Sequence, residues 1–506
     1  MPRFFNVAGP CRPEIHYTVD SLPRLTEIGP LIDHEQYFVL HAPRQTGKTT
    51  YLYAMMHHLN QQGRYTALTF NIQAAASGQD PDHAMLIAAA AIHGSARMFL
   101  PPEEQPEAVT GLDLEYFKAD GLKGYLNRWA EKNAKPVVLF IDEADSLMDD
   151  IFLALLRQLR SGFELRPKGF PQSIGLVGLR DVRDYKIRVR PDSASLGTGS
   201  PFNIKTESLF MTGFTEANVN ELLDQHTLAT GQEFSEEVRK AIFYHTQGQP
   251  WLTNALARQI VEKILQNDFT KTITVEHVRQ AREELIQRRD THLDSLIDKL
   301  REPQVKAVAQ AIINGKNPTM DTFNDAVIYT RDLGLISPTA PVRFANPIYQ
   351  EIIPRVLSMD FQLSFPNDIV EPVWYIKEGK LDLDALLAAF QKFYRRHSEA
   401  WLEKYDFREV GRQLLVMAFL QRILNGGGQI EREMAVGNGR CDLWVKYGDD
   451  EFVIELKLLW DQWSREIEKK MIMLQELFGI QSPLKFRYVH DFMYGYDWIK
   501  WVQKDA

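Results

Sequence analysis

The chain alternates short apolar runs with longer stretches of helical period. Gln36–Ala42 (QYFVLHA) has the length of a buried strand, Thr49–Gln61 continues as a helix, and Tyr65–Asn71 (YTALTFN) predicts the next strand. An Ala-rich helical stretch over 81–100 stops at Pro101-Pro102. Lys135–Asp142 (KPVVLFID) and Ser173–Leu179 (SIGLVGL) predict a third and a fourth strand. Apolar strands separated by helices predict a parallel α/β sheet, because such strands are covered on both faces. Residues 1–35, rich in Pro and Gly, predict an irregular leading segment.

After about residue 212 the predicted strands stop. Residues 215–290 have a helical pattern broken at Gly248-Gln249-Pro250, which suits a helical lid. Residues 291–358 combine short helices with apolar stretches at 326–337 and 342–352, the pattern of a winged-helix-like unit. A Pro-containing stretch at 359–373 (DFQLSFPNDIVEPVW) predicts a linker, and 374–506 predicts a C-terminal α/β unit with two adjacent strands. The expected division is 1–212, 213–290, 291–358, 359–373 and 374–506. This fits the length, since 506 residues exceed what one core serves.

Composition narrows the class. An apolar fraction of 44% and a charged fraction of 25% are those of ordinary globular chains. A net charge of −9 argues against a surface that coats nucleic acid throughout, while leaving room for a local basic groove. The two cysteines, Cys11 and Cys441, form neither a disulfide framework nor a zinc cluster, which predicts a reducing, cytoplasmic setting. The first residues lack the apolar run of a signal peptide, and no segment reaches about 18 uninterrupted apolar residues, so no membrane partner is expected.

Ala42-Pro43-Arg44-Gln45-Thr46-Gly47-Lys48-Thr49-Thr50 lies directly after a predicted strand and opens a helix. That context makes a phosphate cradle: backbone N–H groups wrap the phosphates and the helix N-terminus adds its positive end. Lys48 would neutralise the β and γ phosphates of ATP, and Thr49 would offer its hydroxyl to Mg²⁺. Ala42 stands where the motif carries its first glycine. The strand Val137–Ile141 then ends in Asp142-Glu143, the position of a magnesium-holding acid followed by a general base for the attacking water. Together the two motifs predict hydrolysis, not binding alone. Arg180, at the tip of the fourth strand, either senses the γ-phosphate or pairs with Asp181 or Asp184. Arg160 and Arg166 are either arginine fingers across a subunit contact or solvated helix-end residues.

The segments RQTGKTT, LFIDEAD, GLRDVRDY, SPFNIKTESL, HTQGQPWLTNALA and THLDSL occur in that order. They resemble an AAA-like P-loop ATPase family of bacteria, related to the archaeal-type and STAND NTPases, over residues 5–358. The resemblance implies an ATPase core, a lid carrying Gln249-Pro250-Trp251 and a winged-helix-like domain ending near Asn346-Pro347-Ile348-Tyr349. It also implies that Pro250 touches the nucleotide, and that a homo-oligomer is one possible assembly.

In the C-terminal part, Leu443–Lys446 and Phe452–Leu458 predict adjacent strands joined by Gly448-Asp449-Asp450. Alternation assigns Phe452, Ile454 and Leu456 to one face and Val453, Glu455 and Lys457 to the other. Asp442 and Glu455 as metal ligands, with Lys457 positioning water, suit metal-assisted phosphodiester hydrolysis. A surface Glu–Lys pair on an amphipathic hairpin is the plainer alternative. Asp442 with Glu455-Leu456-Lys457 resembles the PD-(D/E)xK nuclease superfamily over about residues 400–480. That resemblance implies Glu409 and Gln475 as accessory site residues, and nucleic acid, DNA before RNA, as partner. The stretch 484–506 reads as aromatic and irregular, unlike the ending expected of such a domain.

Arg180, Arg183, Lys186, Arg188 and Arg190 form either a phosphate-backbone track or a solvated surface. Cys441 has no base nearby in the text and reads as a packing residue. Three functions follow from these readings: an ATPase controlling a nuclease, with bacterial defence suggested by analogy; an NTPase switch whose tail binds without cleaving; and a remodelling motor.

Overall fold

The computed structural model describes residues 3–109, 121–147, 149–179, 205–288, 291–313, 324–363, 376–377, 380–388, 390, 420, 428–432, 435–436, 439–440, 443–448, 450–455, 485–491 and 496–503. The chain forms two compact units, residues 1–296 with 319–347, and residues 297–318 with 348–506.

The first unit is built on five parallel strands: β1 (Tyr37–His41), β2 (Thr66–Asn71), β3 (Val137–Asp142), β4 (Ser173–Gly178) and β5 (Lys205–Phe210). Their spatial order is β2-β3-β4-β1-β5. Every residue of β1, β3 and β4 is buried, as continuous apolar runs require. Helices α1 (Ile28–Asp33), α2 (Lys48–Gln62), α3 (Pro81–Phe99), α4 (Gly121–Lys132) and α5 (Asp149–Gly162) accompany the sheet, and their Leu52, Met56, Ile92, Leu126 and Leu159 share one core with it. Gly175 fixes the middle of that core. A Cβ there would lie 2.8 Å from the ring of Phe38, which packs with Phe140 across the strand.

Four strands match the sequence pattern, and β5 was not foreseen. Its Lys205-Thr206-Glu207-Ser208 text is polar because the strand lies at the sheet edge and pairs with β1 alone, leaving Thr206 and Glu207 exposed and burying Leu209.

Helices α6 (Glu216–Thr230), α7 (Glu236–Thr246), α8 (Pro250–Arg258) and α9 (Val275–Arg288) occupy the stretch in which helices were expected. The Thr215 hydroxyl accepts from Asn218 N at 3.2 Å and starts α6 with a reciprocal cap. Leu222, Ile242, Leu252, Leu256 and Leu285 are buried among these helices. The break between α7 and α8 is local chemistry. Gln247 and Gly248 take left-handed backbone, the Gln249 side chain caps α8 by accepting from Leu252 N at 2.5 Å, and Pro250 fills the first helical position. The leading segment is anchored here too: Phe5 and Tyr17 pack with His226 and Phe234.

The division between the units falls within α10 (Thr291–Leu300). Helices α11 (Pro303–Ile313), α12 (Asp325–Asp332) and α13 (Pro347–Leu363) follow in sequence. In the first unit, Ile336 and Phe344 form an isolated antiparallel bridge after α12.

The second unit contains β6 (Gly428–Arg432), β7 (Leu443–Tyr447), β8 (Asp450–Glu455), β9 (Lys485–Asp491) and β10 (Tyr496–Gln503). They pair antiparallel in the order β9-β10-β8-β7-β6. Leu443, Val445, Phe452 and Ile454 are buried, and Phe452 and Ile454 are two of the three residues that alternation assigned to one face. The stretch 484–506 is a correction, since most of it forms β9 and β10. A register shift between Val489 and His490 breaks the alternation that would have revealed the hairpin.

Gly248 supplies the test of this architecture. With φ at +72°, a Cβ there would lie 1.9 Å from Phe214 O, where the chain leaves the sheet for the helices that follow. Gly248→Ala is expected to destabilise the first unit by about 2 kcal/mol or more, from left-handed strain plus the clash, measured as a lowered melting temperature.

Candidate active site

The loop between β1 and α2 turns through two left-handed residues, Gln45 at φ +58° and Gly47 at φ +94°. Thr46 Oγ1 donates to Pro43 O at 2.7 Å and Ala42 N donates to Gly178 O at 3.3 Å. Ala42 is fully buried, so the residue that departs from the motif packs its methyl into the core while the turn still forms. Lys48 Nζ donates to Ala42 O at 2.8 Å and Pro43 O at 3.0 Å. Burial pulls the Lys48 pKa below that of a free lysine, against the opposing pull of Glu143, Asp145 and Asp142.

Thr49, in the first turn of α2, donates from Oγ1 to Asp142 Oδ2 at 2.7 Å. Asp142 Oδ1 accepts from Glu143 N at 3.0 Å. The hydroxyl and the acid assigned to magnesium therefore meet, although β4 separates their strands. Burial raises the Asp142 pKa, opposed by the Thr49 hydrogen bond and Lys48. Glu143 follows in left-handed backbone at φ +56°, an uncommon conformation for a glutamate. Its carboxyl is also raised, first by burial and then by Asp145 and Asp142.

Sequence reasoning gave Asp145 no role. Its Oδ2 accepts from Leu179 N at 3.2 Å and ties the turn after β3 to the end of β4. Gly178 makes room for it, since a Cβ there would lie 2.8 Å from Asp145 Oδ1. A carboxylate within the quoted LFIDEAD text was the available clue.

A cavity of about 440 Å³ opens over the loop. Arg44, Gln45, Gly47, Lys48, Thr49 and Thr50 form its floor. Asn6–Cys11 and Arg24 of the leading segment also line it, with Phe214, Pro250, Trp251 and Asn254 from the part of the chain after β5. Trp251 Nε1 donates to Val7 O at 2.8 Å and Cys11 N donates to the Thr50 hydroxyl at 3.0 Å. These long-range contacts carry no sequence pattern. Pro250, put forward by resemblance, lines this cavity. Arg44 Nη1 donates to Ser295 Oγ at 3.1 Å, and a Cβ on Gly334 would lie 2.6 Å from the Pro43 side chain.

Arg166 is not placed as a finger. Its guanidinium donates to the carbonyls of Phe163 and Glu35 and stacks on Phe163 and Tyr37, at the start of β1 and away from the loop. Arg160 is exposed in the last turn of α5. Arg180 and the basic run 180–190 lie outside the described residues. So do Asp442, Lys457, Glu409 and Gln475, while Glu455 is the last residue of β8 and pairs in register with Lys500. Among the described residues no group of three or more His, Cys, Asp or Glu side chains could by itself hold a metal ion, and no helix is long and apolar enough to cross a membrane.

No family model and no curated protein matches the chain. Among solved structures it is similar to the Walker-type ATPase of Pyrococcus abyssi, at 15% identity over 69% of this chain and 99% of that one, with a TM-score of 0.47. Cdc6p of Pyrobaculum aerophilum is similar at 17% identity over 66% and 82%, with a TM-score of 0.37. The Holliday junction branch migration motor RuvB of Thermotoga maritima is similar at 14% over 64% and 92%, with a TM-score of 0.34. At these scores none of the three assigns an activity to this chain.

The raised Glu143 carboxyl has a kinetic consequence. If Glu143 is the base, hydrolysis requires its ionised form, so the rate falls on acidification through a pKa above the ordinary glutamate range. A pH–rate profile is expected to show that acid limb, and Glu143→Gln to remove the activity carrying it.

Proposed function

We propose that the first unit binds and hydrolyses ATP with magnesium over the β1–α2 loop. One observation carries the reading, the 2.7 Å hydrogen bond from Thr49 Oγ1 to Asp142 Oδ2. This pair fits magnesium, which takes oxygen ligands, few of them from protein, and leaves the others to water and substrate phosphates. When bound there, the ion would neutralise charge on the β and γ oxygens. The loop N–H groups and the α2 N-terminus hold the phosphates. Lys48 exchanges its two carbonyl partners for phosphate oxygens. Glu143 accepts a proton from the attacking water.

Purified protein is expected to release phosphate from ATP in the presence of magnesium. Glu143→Gln should retain ATP binding and lose about 10²–10⁴-fold in rate; wild-type turnover in that variant would remove Glu143 from the mechanism.

A regulatory NTPase switch would use the same site. The Arg44–Ser295 hydrogen bond and the contact of Gly334 with Pro43 favour that version, because they join the loop to residues beyond the α/β core.

For the second unit we propose a magnesium-dependent nuclease site at Asp442, Glu455 and Lys457, with Glu409 and Gln475 beside it and DNA as substrate. The supporting observation is the β7–β8 register. Leu443, next to Asp442 in sequence, pairs with Ile454, next to Glu455. Plasmid cleavage with Mg²⁺ and ATP is expected from the wild type and not from Asp442→Ala. Cleavage by both proteins would sink the assignment, and cleavage by neither would leave the unit as a binding module.

A further inference from the structure

Arg24 ends a short 3₁₀ turn, Leu22–Arg24, in the leading segment and lines the cavity over the β1–α2 loop. Its Nη2 donates to Thr46 O at 3.2 Å and Thr212 O at 2.6 Å, and its guanidinium lies 5.0 Å from the centre of the Phe214 ring. These contacts fix its orientation and use one nitrogen. Nε is shielded from solvent and has no acceptor. Nη1 lies 3.3 Å from the point a Cβ on Gly47 would occupy, so it faces the phosphate loop itself.

No described carboxylate pairs with this cation. Burial alone pulls its pKa down to about 10, which still leaves it charged at neutral pH. With Nη2 held by two carbonyls and Nε closed to solvent, Nη1 is the donor left to meet an arriving anion, whose charge would offset the cost of a buried cation without an acid. The planar guanidinium, braced through Nη2, holds Nη1 in a fixed direction that the flexible ammonium of a lysine would not keep.

We infer that Arg24 is a ligand of the bound nucleotide's phosphates, brought from the leading segment to act beside Lys48. The inference rests on the nucleotide reading of this cavity and adds a phosphate contact that neither loop motif contains. It also gives the leading segment a reason to lie over the loop, since its one cation there is fixed by carbonyls on both sides of the pocket.

The test is calorimetric titration of the full chain with ATP and with ADP, alongside melting curves of the nucleotide-free protein. Arg24→Gln is expected to bind both nucleotides about ten- to a hundredfold more weakly and to melt no lower than the wild type without nucleotide, because it removes an unpaired cation. Arg24→Lys, which keeps the charge and loses the braced Nη1, should fall between them. Wild-type affinity in both variants overturns the inference. So does weaker binding that comes with a lowered nucleotide-free melting temperature in Arg24→Gln and no recovery in Arg24→Lys, which marks the side chain as a brace for Thr46 and Thr212. If the wild type binds neither nucleotide, the nucleotide reading itself falls.

Discussion

Parallel pairing of β1, β4 and β3 brings the carboxyl ends of three strands to one edge of the sheet, and the candidate site follows from that constraint. β1 runs out into the loop at Ala42, β3 ends at Asp142 and β4 ends at Gly178, in a register that pairs Val39 with Leu176 and Leu176 with Ile141. Loops at the carboxyl ends of parallel strands are where open α/β sheets place their chemistry. Gly175 holds the register, since the rings of Phe38 and Phe140 close over the one central position without a side chain. Slipping either neighbour would set a Cβ against an aromatic ring.

The edge so formed is electrostatically unbalanced. Asp142, Glu143 and Asp145 stand near a single buried lysine, and burial raises the pKa of the first two and lowers that of Lys48. Hydrogen bonds hold the group in place: Thr49 and the Glu143 amide on Asp142, and the Leu179 amide on Asp145. Such an excess of carboxylate is an imbalance that a bound cation would relieve. Arg24, held against the same loop through Thr46 O, is the complementary imbalance, a cation with no described acid.

The cavity closes through contacts that run far along the chain. Val7 meets Trp251, and Thr18 exchanges hydrogen bonds with Gln225 through both its N–H and its carbonyl. Phe5 and Tyr17 pack against His226 and Phe234. The leading segment is thus bound to helices α6 to α8 and not to the sheet alone. The turn at Gly248, whose carbonyl accepts from Phe214 N, joins these helices to the segment that leaves the sheet.

Local chemistry was sufficient to read the strands β1 to β4, the turn that opens α2, the acid pair after β3 and the helix break at Gly248-Gln249-Pro250 from the sequence. Each rests on neighbours in the chain: a continuous apolar run, a Gly-Lys-Thr turn, a strand-terminal acid, a proline in a first helical turn. Tertiary structure alone decided the polar edge strand β5, the bulged hairpin of β9 and β10, the bracing of Asp145 on Leu179, the removal of Arg166 to the far end of β1, and the meeting of Arg24, Trp251 and Asn254 over the loop. Edge strands and bulges escape periodicity because half their surface is free of the core. Pocket walls escape it because a side chain's partner across a cavity is set by how the elements pack, and nothing in the local text encodes that packing.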